Sequence, residues 1–229
     1  FHPKETFSSL VEEIANLNGD FRVRLSSINP IEIDDHLIEL ISQHEKICPH
    51  LHIPLQSGDT EVLSKMRRNY NAKQYEHIVR RASEKISPLG LGADVIVGFP
   101  DESEVSFEHT RKLIEELPFS YLHVFSYSPR SGTEAHNFKN NIKNITKKER
   151  NLILNDLVKE KAQQFYKSFI GKKVTVLVEE RKQADGVLKG HSEHYIPVSI
   201  DAEGFLQNQL VSVLITETRK NELVGCLES

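Results

Sequence analysis

The chain reads as an α/β protein, a parallel sheet with crossover helices followed by a small antiparallel β-barrel. Three observations predict this. First, His52-Ile53-Pro54-Leu55-Gln56-Ser57-Gly58-Asp59 and Asp94-Val95-Ile96-Val97-Gly98-Phe99-Pro100 each open apolar and β-branched, then break into polar, Gly and Pro residues before a helical pattern. Buried parallel strands have this form when they deliver polar groups to the carboxyl edge of a sheet, and Leu122 to Arg130 repeats it. Second, strand and helix patterns alternate up to about residue 145, as sheets with crossover helices require. Third, beyond Gly171 the helical period gives way to short strands punctuated by Gly171, Gly186, Gly190, Gly204 and Gly225.

In order, Thr6 to Asn18 is predicted as a helix with Leu10, Ile14 and Leu17 on its apolar face and Asn18-Gly19 as its stop. Phe21 to Ile28 alternates as a strand, Asn29-Pro30 breaks it, and a helix runs from about Asp34 to His44. Leu51 to Leu55 is the next strand, followed by helices over 59–67 and 72–86. Leu91 to Val97, Ser103 to Leu117 and Tyr121 to Tyr127 complete the strand–helix–strand series. Thr146 to Phe169 is one long, charge-laced helix, and strands follow at 174–179, 186–189, 195–200 and 211–217. This gives three segments: 1–145 for the strand–helix sheet, 146–170 for a connecting helix and 171–229 for the small barrel.

Composition bounds the function. At 38% hydrophobic and 27% charged, with a formal charge of −4, the chain carries no global basic field that would by itself indicate nucleic acid. No apolar run approaches the roughly 20 residues a membrane-spanning helix needs, and a cytoplasmic setting is expected. Cys48 and Cys226 lie far apart, which argues against a disulfide framework and against a metal motif from local spacing. His50 and His52 alternate on one strand and so share a face, which suits packing or pocket lining better than a metal.

The candidate site residues sit at the strand ends. Gln56 and Ser57 offer an amide and a hydroxyl suited to ribose hydroxyls or a carboxylate; alternatively they belong to the cap of the next helix, with Asp59 as N-cap. Asp94 lies inside an apolar strand, where a carboxylate needs either a ligand or a buried partner such as Arg24. Gly98 permits close approach, and Asp101, Glu102 and Glu104 favour the N-terminus of the helix that follows. Arg130 suits a carboxylate or phosphate. The last segment holds seven cations against nine acids, so RNA binding there would need a local patch such as Lys172, Lys189, His191 and Tyr195.

Four of these stretches, Arg24–Pro30, His52–Asp59, Asp94–Pro100 and His123–Thr133, together resemble the methylthiotransferase family of radical S-adenosylmethionine (SAM) enzymes. Ile47-Cys48-Pro49-His50-Leu51 is similar to the branch acting on threonylcarbamoyladenosine in tRNA, and Gly171-Lys172-Lys173 onward resembles the OB-like TRAM barrel that ends these enzymes. The resemblance implies a radical SAM partial barrel, SAM as cofactor, and 4Fe–4S clusters held by cysteines in a Cys-x-x-x-Cys-x-x-Cys loop. Reduction of SAM would give a deoxyadenosyl radical, and the product would be a methylthio group on C2 of the adenine. Partners would be a tRNA anticodon loop and an electron donor.

The cluster cysteines are absent from this sequence, so the resemblance implies the C-terminal part of such an enzyme, inert alone and prone to self-association through a bare sheet edge. It also implies that Ser26, Ser27 and Asn29 close the first strand and that Gln56 and Ser57 meet ribose or methionyl groups. Asp94 and Ile96 would lie on the strand beneath the adenine, Phe125 and Ser126 at its edge, and Arg130 near substrate or the methionyl carboxylate. Two other readings remain open: a non-catalytic RNA-binding protein, and a methylthiotransferase acting on a ribosomal protein or on isopentenyladenosine.

Overall fold

The computed structural model describes residues 6–139, 141–181, 187–201 and 206–228; Lys182, Gly186 and Gly204 lie outside them. The first body is built of α1 (Phe7–Ala15), α2 (Asp35–Gln43), β1 (His50–His52), α3 (Thr60–Lys65), α4 (Ala72–Lys85), β2 (Gly90–Val97), α5 (Glu104–Glu116) and β3 (Tyr121–Ser126). Helix α6 (Asn144–Lys167) leads to β4 (Lys173–Arg181), β5 (Leu188–Ser192), β6 (Pro197–Asp201), β7 (Leu210–Arg219) and β8 (Glu222–Leu227). None of the described helices is long and apolar enough to cross a membrane.

Strands β1, β2 and β3 form a parallel sheet in that order, with His52 level with Gly92 and Gly92 level with Tyr121. Alternation along β2 puts Leu91, Ala93, Val95 and Val97 against the helices, all fully buried, and turns Gly92, Asp94 and Ile96 to the other, more open face. The helix-side core joins these to Leu37, Leu51, Ile53, Leu63, Tyr75, Val79 and Ile114. A second core fills the small barrel with Phe169, Val174, Val176, Val178, Val198, Ile200 and Val213.

Several expectations change. The predicted β1 run ends at His52 because Pro54 has no N–H for the ladder; the carbonyls of Ile53 and Pro54 instead accept from the hydroxyls of Tyr75 (2.7 Å) and Tyr70 (2.9 Å). The 21–28 stretch is not a ladder strand. It touches its neighbour through an isolated bridge at Val23–Ile47 and a bond from Ile28 N–H to the His52 carbonyl, because Ser27 turns the chain at φ 56°. Helix α1 exposes the expected face of Leu10, Ile14 and Leu17 and buries Ser8, Val11 and Ala15. The Ser8 hydroxyl donates to Asp34 at 2.6 Å, which fixes that rotation against α2.

The small barrel is closed in the order β4-β5-β6-β8-β7, and its fifth strand, β8, escaped the sequence reading. Because β6 and β8 pair in parallel, the barrel is mixed rather than wholly antiparallel. The outer edge of β3 is covered by α6, whose Asn151 amide donates to the Val124 carbonyl at 2.8 Å.

The two bodies meet at the start of β2. A Cβ on Gly90 would stand 2.2 Å from the His194 carbonyl oxygen, so only hydrogen fits there. Gly90→Ala should therefore part the small barrel from the sheet. The expected result is faster amide exchange at Tyr195 and Ile196 and a loss of about 2–3 kcal/mol in denaturant unfolding; unchanged exchange would contradict the contact.

Candidate functional site

The open face of the sheet carries polar and aromatic side chains in register. Gly92 is level with Tyr121, Asp94 with His123 and Ile96 with Phe125, while His50 and His52 share a face of β1, as their spacing predicted. Gly92 makes the arrangement possible, since a Cβ there would lie 2.0 Å from the Tyr121 ring. Tyr121 thus lies across β2 and its hydroxyl meets His50 Nε2 at 2.9 Å and His52 Nδ1 at 3.1 Å. The other nitrogen of His52, Nε2, faces Asp94 Oδ2 at 3.3 Å. Arg24, expected as the Asp94 partner, instead lies 4.0 Å over the ring of Tyr195. Tyr195 also stacks on His191 at 4.9 Å and sits 5.2 Å from His50.

Burial sets the charge state of this group. His50 is pushed down to about 3, first by desolvation and then by the Arg24 charge, so it stays neutral. Tyr121 is pushed above its ordinary value by desolvation and remains a phenol. His52, Tyr121, His123 and Tyr195 were not singled out together in the sequence; the clue was the two-residue spacing of the histidines, but their cross-strand partner needed the register.

At the carboxyl edge three strand exits take left-handed backbone: Ser27 at φ 56°, Gln56 at 66° and Gly98 at 73°. For Ser27 and Gln56 this costs roughly 1–2 kcal/mol each. Gln56 is buried at this edge, its N–H donating to the Asp94 carbonyl and its carbonyl accepting from Ile96. Ser57 turns the other way: its hydroxyl accepts from Asp59 N–H and meets Thr110 at 3.3 Å, inside the α5 contact. Asp59 is the α3 N-cap, accepting from Glu61 and Val62. Asn29 caps the short 3-10 turn Pro30–Glu32, and Ser26 is exposed. Phe125 and Ser126 are exposed at the end of β3, and Arg130 is exposed on the loop beyond.

The loop after β2 is held from an unexpected direction. Lys147 packs beneath Gly98, where a Cβ would stand 2.4 Å from its Cγ, and its amine donates to the Tyr127 carbonyl at 3.1 Å. Glu102 does not favour the α5 N-terminus as expected. It is buried, accepts from Gly98 N–H at 2.6 Å, and pairs with buried Arg150 at 2.6 Å. Of the charges that open α6, Lys147 and Arg150 thus face the sheet edge, while Lys148 and Glu149 face solvent.

The basic patch expected on the small barrel is largely neutralised. Lys189 reaches Glu222 at 3.6 Å, His191 meets Glu179 at 2.8 Å, and Lys172 lies 5.9 Å over Phe169. A cleft of about 800 Å³ opens beside it, between the 20–24 segment and the barrel, lined by Arg22, Arg24, His191, Tyr195 and Gln209 among others.

A family model described as the Radical SAM superfamily matches residues 4–114. The threonylcarbamoyladenosine tRNA methylthiotransferase MtaB of Rickettsia prowazekii is 41% identical over 224 residues, covering 97% of this chain and 49% of that protein. The tRNA-2-methylthio-N(6)-dimethylallyladenosine synthase of Oceanobacillus iheyensis is 39% identical over 207 residues, 90% of this chain and 40% of that protein.

The chain belongs to the radical SAM methylthiotransferase family.

It spans less than half the length of these curated relatives. Among solved structures, coproporphyrinogen III oxidase (HemN) from Escherichia coli superposes at a TM-score of 0.49 with 18% identity, over 72% of this chain and 38% of that one, too slight a likeness to argue from.

The residues present do not fit an iron–sulfur cluster. Two cysteines are too few for the thiolate ligands such a cluster takes. Cys48 is buried, its thiol pushed up to about 11 by desolvation, while Cys226 is exposed on the small barrel. Among the described residues no group of three His, Cys, Asp or Glu side chains is placed to hold a metal ion. The open face carries apolar and polar groups side by side. Ile96 and Phe125 make a partly exposed apolar shelf beside Asp94, whose Oδ1 accepts no hydrogen bond from any described residue.

The Glu102–Arg150 pair yields a pH-dependent expectation. Desolvation raises Glu102 above its ordinary 4.5, so the folded form holds that proton more tightly than the unfolded chain. Stability from this group is therefore present below about pH 4.5 and falls as pH rises through the raised folded value. Removing Arg150 leaves the carboxylate buried without its partner and widens that window. Arg150→Met should cost about 3 kcal/mol at pH 8 and distinctly less at pH 5 in urea unfolding; an equal loss at both would rule out the electrostatic cause.

Proposed function

We propose that the chain is the C-terminal part of a tRNA methylthiotransferase that adds a methylthio group to C2 of N6-threonylcarbamoyladenosine beside the anticodon. The observation that carries this reading is the 41% identity to the Rickettsia MtaB across 97% of the chain. In it, the open face of the sheet is the cofactor face. SAM, when bound, supplies the methyl group and the radical chemistry. Ile96 and Phe125 would shelve its base, Asp94 would take a ribose hydroxyl or an amine, and Gln56 would close the edge beside them. Ser57 and Asn29 act through the backbone they brace, and Ser26 and Ser126 flank the opening. Arg130 lies at the mouth, where an anionic substrate group would meet it. The clusters, their ligands and the electron donor belong to sequence outside this chain.

The small barrel is a TRAM-like RNA module in this reading. The cleft between it and the 20–24 segment supports the assignment, offering Arg22 and Arg24 for phosphates and the His191–Tyr195 stack for a base. A second reading has its own support: dimethylallyladenosine synthases match at 39–40% identity, so that nucleoside is the rival substrate.

Mass spectrometry of tRNA nucleosides from cells lacking the parent gene, with and without its restoration, separates the two. Loss and return of 2-methylthio-threonylcarbamoyladenosine is the expected result. Loss of the dimethylallyl nucleoside instead would move the substrate to the second reading, and no change in either would end the tRNA assignment.

A further inference from the structure

Asp94, His52, Tyr121 and His50 form one row that runs from the carboxyl edge of the sheet to the joint with the small barrel. A phenol has one hydrogen, so Tyr121 donates to one imidazole and must accept from the other. An acceptor oxygen faces His52 Nε2, which favours a hydrogen there. His52 Nδ1 then takes the Tyr121 hydrogen, and Tyr121 accepts from His50 Nε2. That order leaves His50 Nδ1 bare, beside the Leu25 backbone and without an aligned partner. Reversing both hydrogen bonds would require the His50 hydrogen to sit on Nδ1, beside the Leu25 backbone, instead of on Nε2. His50 is held neutral by burial.

The far end is closed by the small barrel. The Tyr195 ring lies 5.2 Å from His50 and 6.0 Å from Tyr121, with the Arg24 guanidinium 4.0 Å over its own face. The titratable and charged groups facing the row are therefore Arg24, Tyr195, His194 and, on β3, His123, whose ring lies 5.8 Å from that of His52. Asp94 differs from the rest. One carboxylate oxygen is turned to His52, and the other is left to the open face.

We propose that His52 and Tyr121 are positioning residues that aim the Asp94 carboxylate at a hydroxyl or amine of a nucleoside ligand, with the small barrel keeping the row ordered through Tyr195. This rests on the reading of the open face as the cofactor face. It assigns the small barrel a part in the ligand site as well as in contact with RNA. Tyr121→Phe deletes one hydroxyl and keeps the ring over Gly92.

Two measurements test the row together. Long-range ¹⁵N–¹H spectra, with His52 identified by its loss in His52→Gln, should show its tautomer or titration midpoint altered in Tyr121→Phe. Calorimetry with S-adenosylhomocysteine should show binding about tenfold weaker in Tyr121→Phe, weaker still in Asp94→Asn, and with a changed pH dependence. If Tyr121→Phe fails to fold, His50→Asn breaks the row one link away and is read in the same way. An unaltered His52 spectrum overturns the proposal, as does unaltered affinity where Asp94→Asn has lost it. If the unsubstituted protein does not bind S-adenosylhomocysteine, the cofactor reading falls, and the His52 spectrum alone decides whether the row positions Asp94.

Discussion

The Tyr121 hydroxyl, laid across Gly92, is the contact on which the open face depends. It joins all three strands: Tyr121 comes from β3, passes over β2 where that strand has no side chain, and reaches both histidines of β1. Buried polar groups are tolerated when they satisfy one another, and this row meets most of that demand within itself. The small barrel supplies the lid, because Tyr195 and Arg24 shut the end of the row that water would otherwise reach. The open face and the joint with the small barrel are thus built from one set of side chains.

The opposite end of the sheet uses a different device. There the chain must leave β2 through a left-handed glycine and turn into α5, and a buried ion pair holds it. Glu102 folds back to the Gly98 N–H, and Arg150 meets the carboxylate from α6. A buried pair of this kind adds little net stability, but it penalises any arrangement that separates its partners. Here it fixes α6 against the sheet edge, and α6 in turn sets where the small barrel begins. The strand exits, the long helix and the barrel are placed by one another in sequence.

Membership of the family is compatible with a chain that has no cluster ligands, since it covers only 40–49% of relatives such as those from Oceanobacillus and Rickettsia. What this chain holds is an open sheet face that carries the Asp94 carboxylate, and a joint that ties that face to the small barrel. The cleft beside Tyr195 is lined by Arg22 and Arg24 together with Asp20, Glu179 and Glu193, and the strand lysines Lys173 and Lys189 of the barrel are paired with acids.

The sequence by itself determined the parallel strand–helix order, the family motifs, the capping role of Asp59 and the change of grammar near Gly171. All of these are local: turn chemistry, side-chain period and the apolar runs of buried strands can be read within about ten residues. It identified Asp94 as a carboxylate needing a partner but named Arg24, because the strand pattern carries no information about which side chain crosses to which. The tertiary structure decided that partner as His52, the pairing of Glu102 with Arg150, the buried face of α1 and the parallel closure by β8. Each joins residues far apart in the chain, or selects between two faces that hydrophobic period alone leaves equivalent. Such choices are settled by where a glycine admits a neighbouring ring or carbonyl and where a buried charge finds its counterpart.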